Sequence, residues 1–139
     1  MSELKFFNRW SAAGIAVADP GLVRYITLEP RIIPKTGARY AGNRFHKSNV
    51  SVVERLVTKM MNSGHKAKKH FMSSGHNTGK KTLILKVVEK ALERAETQLK
   101  QNPIAILVKA VENAAPREEV IAIEYGGARY PKAVEVAPQ

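Results

Sequence analysis

The chain has 139 residues, 44% of them hydrophobic, no cysteine, and a formal net charge of +11. That length fits a single domain with one modest core, and the absence of thiols excludes disulfides, cysteine zinc sites and thiol catalysis. No apolar run approaches the roughly 20 residues that span a bilayer, and no signal-peptide core follows the N-terminus, so a cytoplasmic location without a membrane partner is expected.

The charge is segregated. Between residues 24 and 81 thirteen Lys and Arg face only Glu29 and Glu54, so this stretch alone carries +11, while the ten bases and ten acids elsewhere cancel. Like charges at that density repel unless something neutralises them. A polyanion is the expected partner, because each base set beside a phosphate releases condensed counterion. Anionic lipid is a poorer match, since the stretch has no clean amphipathic helix with an aromatic apolar face.

Residues 1–47 are punctuated by Pro20, Pro30 and Pro34 and by Gly14, Gly21, Gly37 and Gly42, which argues against regular structure. Trp10, Tyr25, Tyr40 and Phe45 sit among these breakers, next to Arg9, Arg24, Arg39 and Arg44. The pattern predicts an extended basic arm wrapped over something, with the aromatics as anchors. A first helix is expected from Asn49 to Asn62: Val50, Val53, Val57, Met60 and Met61 recur at helical spacing, Ser48 or Asn49 suits the cap, and Gly64 suits the far end. A Lys-, His- and Ser-rich loop, 64–79, follows. The second helix spans Lys80 to Lys100 on an apolar stripe that includes Leu83, Ile84, Val87, Val88, Leu92 and Leu99. Its Glu89–Lys90 and Glu93–Arg94 face is nearly neutral and is expected to meet solvent.

Asn102 and Pro103 mark the start of a third helix, where a side-chain cap and a proline without N–H both fit. Ile104, Leu107, Val108 and Val111 carry the helical period, and Pro116 ends it. Beyond Glu119 the period shortens to two. Gly126-Gly127 between alternating runs predicts a hairpin with Glu124 opposite Arg129 and Ile123 opposite Tyr130. Pro131 fits only an edge strand. The fold class is mainly α: a helical domain with an extended N-terminal arm and a protruding two-stranded β-hairpin. One domain covers 1–139, divided into the arm 1–47, the helical core 48–116 and the hairpin 117–137.

No enzyme site emerges. His65, His70 and His76 share one loop, but no carboxylate lies between Glu54 and Glu89 to complete a metal site, and Lys66, Lys68 and Lys69 would repel a cation. Gly75 to Lys81 opens a helix and looks like a phosphate loop, yet it lacks the P-loop spacing and a preceding strand. Neither a cofactor, a metal nor a small-molecule substrate is expected, and the paired acids Glu93–Glu96 and Glu118-Glu119 are expected to be exposed charge.

Three blocks carry a resemblance. Lys47-Ser-Asn-Val-Ser-Val-Val-Glu-Arg-Leu56 with Met60-Met61 is similar to the first helix of the universal small-subunit ribosomal protein S-seven family. Asn102 to Val108 and Glu112 to Glu118 resemble its third helix and the following turn, and Gly126 to Val136 its hairpin. Arg9-Trp-Ser11, Asp19-Pro20, Tyr25 to Arg31 and the insertion at Lys66 to Thr78 resemble archaeal and eukaryotic members. The resemblance implies a structural, cytoplasmic and ribosome-bound protein on the head (3′ major) domain of small-subunit rRNA. It implies nucleation of head assembly, head proteins as neighbours, and a hairpin near mRNA and exit-site tRNA.

Carried onto this sequence, the rRNA-facing residues are Arg31, Lys35, Arg39, Arg44, Lys47, Arg55, Lys66, Lys68, Lys69, Lys80, Lys81 and Arg117. Gly126, Gly127, Arg129 and Lys132 belong to the hairpin. Arg and Lys would grip phosphates, and Tyr40 or Phe45 would stack on an unpaired base or an RNA surface. Family members continue into further helices after the hairpin, whereas the sequence given ends at Gln139. The faces of the second and third helices are therefore expected to be only partly covered within the chain: either this is a fragment or a truncated gene model, or RNA or a neighbour covers the rest. The alternative reading is an architectural DNA-binding protein with a basic arm and β-ribbon. Residues 117–139 hold three bases against four acids, which suits a duplex-DNA clamp poorly.

Overall fold

The apolar periods of the sequence become three helices, seen in a computed structural model that describes residues 4–37, 42–62 and 77–136. They are α1 (Val52–Met60), α2 (Lys81–Leu99) and α3 (Pro103–Ala114), followed by β1 (Glu118–Tyr125) and β2 (Ala128–Glu135). The inward stripes are Val53 and Val57 from α1, Ile84, Val88 and Leu92 from α2, and Ile104 and Val108 from α3. Residues three and four apart share one helix face, so each stripe contributes to the same core, with Val108 buried outside its central cluster. The other half of the α2 stripe does not: Leu83, Val87 and Leu99 are exposed.

The surface that the arm wraps over is the protein's own. The arm folds back over the helices, and its Phe6, Trp10, Leu22 and Ile26 are buried in the same cluster as the helical stripes. The arm adds to the apolar surface that the helices bury, and each large apolar side chain taken fully from water adds about 1.5–3 kcal/mol. The breakers that rule out helix or sheet let the arm follow the groove instead. Phe7 and Asn8 turn the chain at positive φ, so that the Phe6 N–H reaches the Trp10 carbonyl at 2.8 Å.

Polar contacts from α2 and α3 fasten the arm. Arg9 pairs with Glu93, and the Trp10 indole N–H donates to Glu96 at 2.9 Å. Asn102 donates from Nδ2 to the Ser11 carbonyl at 2.8 Å, and Glu112 accepts from the Ala18 and Asp19 N–H groups. Glu96 is exposed and Glu93 half-buried, much as expected of solvated acids, yet both carboxylates also hold the arm. Their partners, the Arg9 guanidinium and the Trp10 indole, come from the arm, which periodicity does not reveal.

The start of α1 also differs from the expected cap at Ser48 or Asn49. His46–Asn49 form a 3₁₀ turn, Val50 is extended, and the helix opens after Ser51, whose side chain makes no capping bond. The arm substitutes for the cap. Thr27 donates its hydroxyl to the Ser48 carbonyl at 2.6 Å and accepts from the Val52 N–H at 3.0 Å, satisfying a helix N-terminal donor with backbone. Asn102, in contrast, caps α3 as its sequence predicts, accepting from the Ile104 N–H at 3.0 Å. Gly64, expected just past α1, lies outside the described residues.

The hairpin register is the expected one, with Glu124 opposite Arg129 and Ile123 opposite Tyr130. Gly126 and Gly127 take φ of +59° and +79°, the left-handed pair that a tight two-residue turn requires. Every residue of β1 is exposed, and in β2 only Val134 is half-buried. Arg117 fixes the base of this ribbon through an ion pair with Asp19 of the arm and a carbonyl that accepts from the Val136 N–H.

Candidate nucleic-acid interface

The buried acid of the basic region decides how its cations are arranged. Glu54 of α1 is fully buried. Its Oε1 accepts from the Lys81 ammonium at 2.6 Å, the Thr36 N–H at 2.9 Å and the Thr36 hydroxyl at 3.0 Å. Burial pushes the Glu54 carboxyl up, but the Lys81 and Thr36 bonds and the Lys81 charge outweigh it and hold the group below the ordinary range. Thr36 belongs to the arm and Lys81 to α2, so one carboxylate oxygen joins three parts of the chain. Pro34, also fully buried, seats this piece of arm.

The expected phosphate contacts therefore separate into two kinds. Lys81 points inward at Glu54. Arg55 is half-buried and donates from Nη1 to the Tyr25 carbonyl at 2.6 Å. Arg31 pairs with Glu29 at 2.8 Å, which raises its already high pKa, with a smaller push from Glu54, and Arg117 is held by Asp19. These four bases carry intramolecular bonds that a phosphate would have to share or replace. Lys35 and Lys80 are exposed, each the chain neighbour of a Glu54 partner, so the two flank the junction of arm and α2. Lys47 is half-exposed beside the α1 entry. Arg24 and Lys59, not among the expected site residues, are exposed as well.

A second group forms around Phe45. The Arg44 guanidinium lies 5.4 Å from the centre of the Phe45 ring, and that ring lies 6.1 Å from Tyr25. On the hairpin, Arg129 stands 4.0 Å from Glu124, Lys132 is exposed opposite Ile121, and the glycine pair forms the tip. Arg39, Tyr40, Lys66, Lys68, Lys69, His65, His70 and His76 lie outside the described residues.

Sequence reading missed the partners of these bases. Thr36 gives no periodic signal, and Glu54 looks like any solvated helix acid. The available clue was that Glu54 sits one residue from Val53 and three from Val57, on the apolar side of its helix.

Among the described residues no helix is long and apolar enough to cross a membrane. A family model for ribosomal protein S7p/S5e matches residues 22–139. The chain belongs to that family. The S7p/S5e relatives include small ribosomal subunit protein uS7 of Nanoarchaeum equitans, 50% identical over 137 residues, which are 99% of this chain and 69% of the relative. The uS7 of Methanococcoides burtonii is 42% identical over 97% of this chain and 67% of its own length. That of Methanothrix thermoacetophila is 43% identical over 98% of this chain and 68% of its own. The chain thus spans about two thirds of these S7p/S5e relatives, and the matched length includes the arm, the three helices and the hairpin.

Proposed function

We propose that the protein is a structural, non-catalytic component of the small ribosomal subunit, cytoplasmic and ribosome-bound, that holds the head (3′ major) domain of small-subunit rRNA. Family membership across nearly the whole chain carries this reading. The charge distribution supports it: Glu54, Glu93, Glu96, Glu112 and Asp19 fasten the arm, while Arg24, Lys35, Lys59 and Lys80 face outward. A folded RNA offers phosphates on several sides of such a surface at once. The domain organisation follows from the same division, with arm and helices forming the RNA-binding body.

The hairpin reaches rather than grips. It is exposed on both faces and carries no excess of positive charge, which suits a spacer placed near mRNA, exit-site tRNA and neighbouring head proteins. The experiment is a competition at about 0.15 M salt, where non-specific binding weakens to a Kd of roughly 10⁻⁴–10⁻⁶ M. Preference for a folded head-domain rRNA junction over duplex DNA is expected. Equal affinity for the two would overturn the rRNA assignment and favour the architectural DNA-binding alternative.

A further inference from the structure

Two stretches of the arm, distant in sequence, meet at the entry to α1 and expose a ring. Phe45 is 45% exposed. Tyr25 lies against it at 6.1 Å with an interplanar angle of 50°, and the Arg44 guanidinium stands 5.4 Å from its centre.

The backbone beneath is fixed on both sides. The Tyr25 carbonyl accepts from Arg55 at 2.6 Å, and Thr27, two residues on, bonds the Ser48 carbonyl and the Val52 N–H. The Phe45 carbonyl accepts from the Ser48 N–H at 3.0 Å. Rings held on such a scaffold lose little freedom when a flat ligand lands on them.

We infer that Tyr25, Phe45 and Arg44 form a stacking site for one unpaired nucleobase of an RNA strand, with Arg24 and Lys47 set for the flanking phosphates. The inference deepens the RNA reading above and rests on it. Charge and shape point to a single strand. Arg24 and Arg44 directly precede Tyr25 and Phe45 in the chain, Lys47 follows Phe45 by two residues, and no acid lies between Glu29 and Glu54. A ligand with an open π-face and a phosphate on either side complements that surface, whereas a duplex hides its base faces inside the stack. Aromatic rings and arginine planes both stack on any base, so the site reads an unpaired nucleotide and not a particular letter.

The test compares the full chain binding a short single-stranded RNA with its binding of the same strand made abasic. The two probes have equal charge. The natural protein is expected to prefer the base-bearing strand by roughly 5- to 100-fold. Phe45→Ala should reduce that preference severalfold while leaving affinity for the abasic strand and the slope of log K against log salt unchanged. Phe45→Trp should keep the preference. Equal wild-type affinity for the two strands overturns the inference. So does an unchanged preference in Phe45→Ala, the sign of stacking on the exposed Tyr125 or Tyr130 instead. Loss of abasic-strand affinity or a flatter salt slope in Phe45→Ala would make the ring a support for nearby cations, which also overturns it. The junction-versus-duplex competition reports separately on the rRNA assignment, because the oligonucleotide comparison needs no rRNA fold.

Discussion

Lys81 and Glu54 meet at 2.6 Å with the carboxylate fully buried and the ammonium side chain 19% exposed. A buried carboxylate is costly unless its charge is matched and its oxygens are bonded. Here one oxygen takes three donors, and Oε2 has no hydrogen-bond partner among the described residues. The lysine is therefore an internal counter-ion for α1, and its charge is already in use before any phosphate arrives.

Lys81→Met is expected to destabilise the fold by about 3 kcal/mol, near the lower end for removing one partner of a buried pair. It should leave the salt dependence of RNA binding by the protein that remains folded unchanged. Lys80→Gln should do the reverse: little change in stability, and a log K versus log salt slope flatter by about 0.7–0.9 if its phosphate contact is lost. Denaturant titration and salt-dependent binding of both variants check the pair. A flatter slope in Lys81→Met would return that lysine to the RNA surface.

The same carboxylate predicts an acid limb. Its pKa in the folded protein lies below the ordinary value of 4.5, so between the two values the unfolded chain binds more protons and stability rises with pH. The contribution is fully present above about pH 4.5, the unfolded value, and is lost as pH falls through the depressed folded value. Glu54→Gln should remove this part of the pH dependence. Denaturant midpoints measured across that window in both proteins test it, and parallel acid limbs would exclude Glu54 as their source.

Truncating the arm's anchor separates a folded-back arm from an appended one. Phe6 is fully buried and Trp10 is 5% exposed, and removing a buried aromatic side chain costs about 3–5 kcal/mol. Phe6→Ala is expected to lower the stability of α1, α2 and α3 together by that amount. If the arm were a separate appendage, the helices would unfold at the same denaturant concentration as before.

What the sequence made legible follows from how local each signal is. Asn102-Pro103 and Gly126-Gly127 act within a turn of chain, through a cap bond and through positive φ, and both features stand where the pattern put them. The arm had no such signal, because its shape is set by contacts across the molecule: Arg9 with Glu93, Thr27 with Ser48, Thr36 with Glu54. The same distance effect governs the site. Counting bases located the cationic region, but only the packing separated Lys80 from Lys81 and brought Tyr25 to Phe45. An acid that looks solvated on its own helix becomes an arm fastener once the arm is laid over it.

The hairpin makes the opposite prediction from the arm. A two-stranded ribbon is marginal alone in water, and this one is exposed along both strands, with Arg117–Asp19 and the half-buried Val134 and Val136 at its base. Val replacing both Gly126 and Gly127 forces a β-branched residue into positive φ at each position, at a cost of roughly 1–2 kcal/mol apiece. That exceeds what the ribbon gains from its cross-strand pairs near the tip, so the strands should open while the helical core stays within about 0.5 kcal/mol of its original stability. Amide exchange resolved by residue gives the readout: protection should vanish in β1 and β2 and persist at Val88 and Leu92 of α2. Loss of protection in both places would show that ribbon and helices unfold as one unit, and the hairpin would then be a structural element of the core.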